Sequence, residues 1–361
     1  MRTRTAATNV AAVLQPRTAV GRTNVTAARW AVGLGAVAYG AARVWRAQQA
    51  ISLRHASVAI FGGSRGLGLA LAQTMAARGA RLGLFARDPA ELATALASVE
   101  GLGGEVFVHP CDVRDRGHVQ EAIARQVDTY GGLDVLVNNA GVIQVGPLEH
   151  MRTEDFEDAM NTHFWGPLAA IDAALPHLRA ARSGRIVNIA SIGGRIAVPH
   201  LLPYSASKFA LVGLSEGLRA ELARDGIKVT TVCPGLMRTG STYNASFKGR
   251  HRAEFAWFHT ADALPGLSVS AQRAAARIVD ACRHGDADVV IGLPARAAVV
   301  LHALFPQTWA RLNQTANALL PEASTDQGDV ARSGWQSTSD AVPSGLTTLA
   351  DRASLALNQV R

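Results

Sequence analysis

The chain has 361 residues, 48% of them hydrophobic, and its 36 basic against 28 acidic residues give a formal net charge of +8. That length suits one large α/β domain with extensions. The excess charge is confined to residues 1–54, which hold eight arginines and no Asp or Glu; the remainder balances at 28 against 28. A nucleic-acid-binding surface on the body of the protein is thereby excluded, and no nucleic-acid partner is expected.

The basic arm, residues 1–54, contains thirteen uncharged residues, Trp30–Ala42, between Arg29 and Arg43. A membrane-spanning helix needs about twenty apolar residues. Trp30, Tyr39 and Trp45 beside arginines suit an interfacial helix, so peripheral membrane contact through residues 25–46 is one expectation. A targeting segment, or a helix packed on the protein's own surface or on a second subunit, is the alternative.

From residue 57 to residue 291 strand-like runs alternate with helical patterns, which implies a parallel sheet covered on both faces. Strands are predicted at 57–61, 81–86, 104–108, 133–137, 185–190, 227–232 and 288–292, and long helices at 153–180 and 203–225. The first strand, Ser57–Phe61, runs into Gly62-Gly63-Ser64-Arg65-Gly66-Leu67-Gly68 and then a helical pattern. Glycines let a backbone approach a pyrophosphate, and the free amides at a helix start favour negative charge. A tight turn without a ligand is the plainer reading of the same residues.

The second strand ends in Arg87-Asp88-Pro89. A carboxylate at that place can hold the ribose hydroxyl of NAD, whereas arginine accommodates the extra phosphate of NADP. Asp88 before Pro89 also reads as a helix cap, which leaves Arg65 and Arg87 to face a phosphate. The fourth strand opens into Asn138-Asn139-Ala140-Gly141, and ligands bind at such strand ends in open α/β sheets.

Further along, Ser191 follows the fifth strand, and Tyr204-Ser205-Ala206-Ser207-Lys208 sets a phenol and an ammonium four residues apart. On a helix they share one face. A lysine charge ~5 Å away at an effective dielectric of ~20 is worth about 3 kcal/mol, or about two pKa units of a phenol whose ordinary value is about 10. Such a pair is an acid/base group.

The spacing Gly62-x-x-x-Gly66-x-Gly68, the run Asn138–Gly141, Ser191 and Tyr204/Lys208 together resemble the short-chain dehydrogenase/reductase family over about residues 55–292. Phe61 departs from that pattern, where a threonine is usual. The resemblance implies a doubly wound Rossmann-type parallel sheet of about seven strands and a single catalytic domain with helical N- and C-terminal extensions. It implies hydride transfer between a nicotinamide cofactor and a carbonyl or secondary alcohol. Ser191, Tyr204 and Lys208 are the implied catalytic residues, with Asn161 supporting a water relay. The implied cofactor contacts are Gly62, Ser64, Arg65, Gly66, Leu67, Gly68, Arg87, Asp112, Val113, Asn139, Ala140, Gly141, Pro234, Gly235 and Thr239, besides Tyr204 and Lys208. Arginines at 65 and 87 point to NADP (NADPH), with NAD the alternative. A homo-oligomer through the two long helices is also implied. The rival reading is a non-catalytic NADP-binding sensor, or a membrane-tethered scaffold on the same fold.

Residues 238–267 fall where the family places a substrate loop. Phe247, Phe255, Trp257 and Phe258 suggest an aromatic lid over a bulky hydrophobic substrate, with Ile192, Leu201, Leu202 and Met237 as apolar neighbours. Residues 293–321 read as a helical extension that covers the site, forms a dimer contact or touches lipid. Residues 322–361, rich in Ser, Thr and Gly, read as a flexible tail that ends in a short helix. Cys111, Cys233 and Cys282 show no paired spacing, which suggests reduced thiols in a cytoplasmic setting, with membrane association as the addition the arm suggests. The eleven histidines show no metal-ligand spacing, and no metal is expected.

Overall fold

The computed structural model describes residues 30, 37–38, 40–324, 328–339, 342, 345 and 347–359. The chain divides into two units, residues 1–48 and 49–361. In the first, residues 40–48 are helical with Val44 and Trp45 exposed. Most of the apolar stretch 30–42 lies outside the described residues. Among the described residues no helix is long and apolar enough to cross a membrane.

The second unit is built on seven strands: β1 Ser57–Phe61, β2 Arg81–Ala86, β3 Val106–Pro110, β4 Val135–Asn138, β5 Arg185–Ile189, β6 Lys228–Pro234 and β7 Asp288–Ile291. They form one parallel sheet in the order β7-β6-β5-β4-β1-β2-β3. Each falls within a few residues of its expected place. The order reverses between β1 and β4, and the crevice at such a reversal is where open α/β sheets hold ligands.

Alternation along each strand divides the core between the two faces. Val58 and Ile60 join one cluster with α1 (Gly66–Ala76), α2 (Pro89–Val99) and α8 (Ala271–His284). Ala59 and Phe61 join the other, with α3 (Arg116–Tyr130) and α5 (Gly166–Ala180). Phe61 is buried and stacks on Phe85 with ring centroids 5.0 Å apart, so the side chain that departs from the family pattern fills core rather than the turn.

The long helix expected at 153–180 is interrupted. α4 (Thr153–Met160) passes through a π-helical turn, Asn161–Trp165, before α5 begins. The other long helix, α6 (Leu202–Glu221), ends in a 3-10 turn. Beyond them lie α7 (His251–Ala263), α9 (Leu293–Leu304), α10 (Pro306–Ala318) and α11 (Thr348–Ala356).

The described part of residues 322–361 is not the loose tail expected. Arg332–Ser333 pairs antiparallel with Ser246–Phe247, which in turn pairs with Gln144–Val145. Trp335 stacks on Tyr243 at 4.3 Å, and Ala350 and Leu357 are fully buried. The segment docks because its small residues let backbones meet. A Cβ on Gly334 would lie 2.2 Å from the Thr242 carbonyl oxygen.

Candidate active site

The strand ends open on a cavity of about 1040 Å³, at the upper end of small-molecule pockets. Every residue implied as catalytic or as a cofactor contact lines it except Gly68 and Asn161. The glycine-rich turn forms one wall, Arg87 and Asp112-Val113 one end, and Ser191, Tyr204 and Lys208 the other.

The turn is shaped by close approach. A Cβ on Gly62 would lie 2.6 Å from the Ala140 backbone, and one on Gly68 would lie 1.9 Å from the Gly62 carbonyl oxygen. Gly68 therefore seats α1 against the turn from behind. Asn139 Nδ2 donates to that same carbonyl at 2.7 Å, while Asn138 bonds Asn188 across the strands. Among the described residues no acceptor meets the Leu67 and Gly68 amides at the start of α1. Free donors of this kind favour an anion.

Asp88 caps α2, accepting from the amides of Ala90 and Glu91. Arg87 is exposed at the rim. Arg65 is not free as expected: Nη1 lies 2.7 Å from Glu91 Oε1, with both side chains about a third exposed. Asp112 is held by Arg114, whose hydrogen bond keeps the carboxyl below its ordinary range.

At the other end Ser191 Oγ accepts from the Gly193 amide at 3.0 Å and so caps the turn that follows β5. Its hydroxyl hydrogen is directed to the Tyr204 phenol oxygen. Gly193 and Gly194 let this loop press against α6: a Cβ on Gly193 would touch the Tyr204 ring at 3.2 Å, and one on Gly194 would meet Lys208 O at 2.6 Å. Tyr204 and Lys208 share a face of α6, as their spacing requires.

The electrostatics differ from the simple pair. Burial pushes the Tyr204 phenol up, and a hydrogen bond with Ser191 opposes that. Lys208 is buried, donates to Ile189 O at 2.8 Å, and has its pKa pushed down to about 7. Its Nζ lies 5.7 Å from the Tyr204 ring centroid. An ammonium directed at a carbonyl and weakened by its own desolvation does not lower the phenol, and the expected downward shift is absent.

Asn161 is exposed and outside the cavity. The π-helical turn rotates the chain so that Thr162 and His163 take the wall instead. His163 is fully buried and meets the Tyr204 ring edge-on at 5.5 Å. The Ser207 hydroxyl donates to the backbone carbonyls of Pro203 and Tyr204, so His163 Nδ1, 2.7 Å away, is the donor to Ser207 Oγ. Nε2 then accepts from the Val142 amide at 3.1 Å. Burial and Lys208 hold the imidazole well below its ordinary pKa, so it is neutral. It ties the loop 139–142 to the helix that carries Tyr204.

The aromatic lid is also corrected. Phe247 and Phe255 are fully buried and pack with Tyr243, Leu201 and Val145, against the partly buried Trp257, Phe258 and Trp335. None of these aromatics lines the cavity. Its substrate end combines Val142, Ile143 and Met237 with Gln144, Thr162, Ser241 and Ser246.

With this geometry in place, comparison with known proteins is decisive. Residues 56–248 match the short chain dehydrogenase family model. The chain belongs to the short-chain dehydrogenase family. It is similar to the dehydrogenase/reductase SDR family protein 7-like of Anopheles gambiae, 33% identical over 258 residues that cover 70% of this chain and 80% of that one. To the human 3-oxoacyl-acyl-carrier-protein reductase it is 39% identical over 184 residues, covering 51% and 76%. The crystal structure of a dehydrogenase/reductase from Sinorhizobium meliloti 1021 superposes with a TM-score of 0.60 at 31% identity, covering 68% of this chain and 97% of that one. This short-chain dehydrogenase is therefore a nicotinamide-using oxidoreductase that acts on a small molecule by hydride transfer.

Proposed function

We propose that the protein is an NADP(H)-dependent carbonyl reductase whose proton donor is Tyr204. The observation that carries this reading is the meeting of Ser191, Tyr204 and Lys208 at one end of the cavity whose wall is the glycine-rich turn. The free amide of Leu67 suits a pyrophosphate, and Thr239, Asn139 and Lys208 line the same cavity. A nicotinamide dinucleotide held there supplies or accepts the hydride. Ser191 donates a hydrogen bond to the substrate oxygen, and Tyr204 hands it the proton.

Burial raises the Tyr204 pKa, which suits the phenol to the role of proton donor. NADP is favoured over NAD because Asp88 is engaged as a cap while Arg87 stands exposed at the rim. Arg65, shared with Glu91, contributes less. The mixed lining supports a substrate of intermediate polarity rather than a bulky hydrophobic one. Exposed Trp165 beside α5 and exposed Phe209 on α6 support a homo-oligomer through the long helices.

NADPH consumption across a panel of ketones and aldehydes tests the reading. Tyr204→Phe should lower turnover by about 10²–10⁴-fold, the usual worth of a general acid, while NADPH still binds. Full turnover by that variant would remove Tyr204 from the mechanism. Arg87→Glu should weaken NADPH and spare NADH; equal losses would refute the NADP assignment.

A further inference from the structure

Three consecutive residues near the C-terminus lie directly on the glycine-rich turn. Leu357 O accepts from the Gly66 amide at 2.8 Å. Asn358, at φ +55°, donates from Nδ2 to Ser64 O and to Glu91 O, each at 3.0 Å. Gln359 is 4% exposed and lines the cavity. A Cβ on Gly66 would lie only 2.5 Å from Gln359 Nε2.

The carboxamide is oriented. Asn244 Nδ2 donates to Gln359 Oε1 at 2.7 Å and to its main-chain oxygen at 3.0 Å. With Oε1 engaged, the Nε2 group is left facing the turn, where no acceptor among the described residues meets it. The tail itself is anchored. Leu357 is fully buried in the cluster that holds Leu67, and a Cβ on Gly240 would lie 2.3 Å from Ser354 Cβ.

We propose that Gln359 is a cofactor-binding residue that donates from Nε2 to the pyrophosphate of the bound dinucleotide, alongside the Leu67 amide. The assignment rests on the dinucleotide reading given above and adds to it a contact from a segment outside the sheet. Two observations make the tail a wall of the site and not a plug. The cavity measures about 1040 Å³ with Gln359 in its wall. The tail takes up only the Gly66 amide at the turn and leaves the next two free. A pyrophosphate contact also has a signature of its own. It is blind to the 2′-phosphate, so it serves NADPH and NADH alike, unlike Arg87.

The test is equilibrium binding of NADPH and of NADH to the full chain, followed by calorimetry. If the wild type binds neither dinucleotide, the dinucleotide reading itself fails and this inference goes with it. If it binds, Gln359→Ala should weaken both by about tenfold and by a common factor, the scale of one hydrogen bond to a charged group. Gln359→Glu keeps the shape but turns the donor into an acceptor-only anion, and should weaken both further. Unchanged affinity in both variants overturns the proposal. So does tighter binding, which would make the tail an occupant that the cofactor displaces. A thermal unfolding midpoint equal to that of the wild type confirms that each variant is folded.

Discussion

The two segments that follow the sheet behave in opposite ways. Residues 293–318 form two helices, α9, rich in Leu and Val, and α10, yet α10 buries no residue and Leu293, Leu304 and Phe305 are exposed. None of this pair lines the cavity. The polar segment after it, with its Ser, Thr and Gly, adds a strand to a small sheet, stacks a tryptophan and ends against the glycine-rich turn. Apolar content did not decide which of them packs. What decided it was backbone reach: small side chains at Gly328 and Gly334 bring main chain against His150 and Thr242. A few anchors such as Leu357 then fix the rest.

The largest effect expected from this contrast is at Leu357. Truncation to alanine removes a fully buried side chain and should cost about 2–5 kcal/mol in chemical or thermal unfolding. A change below about 0.5 kcal/mol would mean that the tail is loose in solution. Next comes Tyr243, whose hydroxyl donates to Asp351 Oδ1 at 2.7 Å, an oxygen that also faces His259 at 3.1 Å. Tyr243→Phe removes a hydrogen bond to a charged group and should cost about 1.5–3 kcal/mol. An unchanged unfolding midpoint would detach α11 from the aromatic cluster around Tyr243.

A smaller effect belongs to Asp329, whose carboxylate meets Arg152 at 2.9 Å and His150 at 2.8 Å. The hydrogen bond from Arg152, then that from His150, pulls its pKa from 3.8 to about 2. The folded value is depressed, so the contribution to stability is full above about pH 4 and disappears as pH falls through about 2. It is modest, because the group is solvated and screened. Tail release followed by Trp335 fluorescence should shift to lower pH in the wild type relative to Asp329→Asn; coincident curves would leave this pair without a role.

The sheet and most of the site were legible from sequence for physical reasons. Short β-branched runs between turn residues mark buried strands, and all seven fell within a few residues of expectation. Asp88 beside Pro89 announced its cap. The residues of the turn, Asn139–Gly141, Ser191, Tyr204 and Lys208 converge because each sits at a strand end or on one helix face. Three features were hidden. A π-helical turn leaves no mark in composition, and it is what exchanged Asn161 for His163. The Arg65–Glu91 pair joins residues 26 apart whose meeting depends on how α2 packs. Gln359 lies almost three hundred residues from the turn it touches. One signal in the sequence could have raised His163: a histidine two residues from Asn161, a predicted functional residue, is itself a candidate.

The smallest expected effect is the one that bears hardest on the contrast. Leu304→Ser, at a side chain 66% exposed, removes little surface that folding hides from water. In the isolated chain it should move stability by no more than about 0.5 kcal/mol, as surface substitutions do. A loss on the scale of Leu357→Ala would require the α9–α10 face to be covered in solution. The two segments would then differ only in what they pack against, the tail on its own chain and the helices on something else. Repeating the measurement over a hundredfold range of protein concentration separates these cases, because only a face covered by a second copy gives a midpoint that rises with concentration.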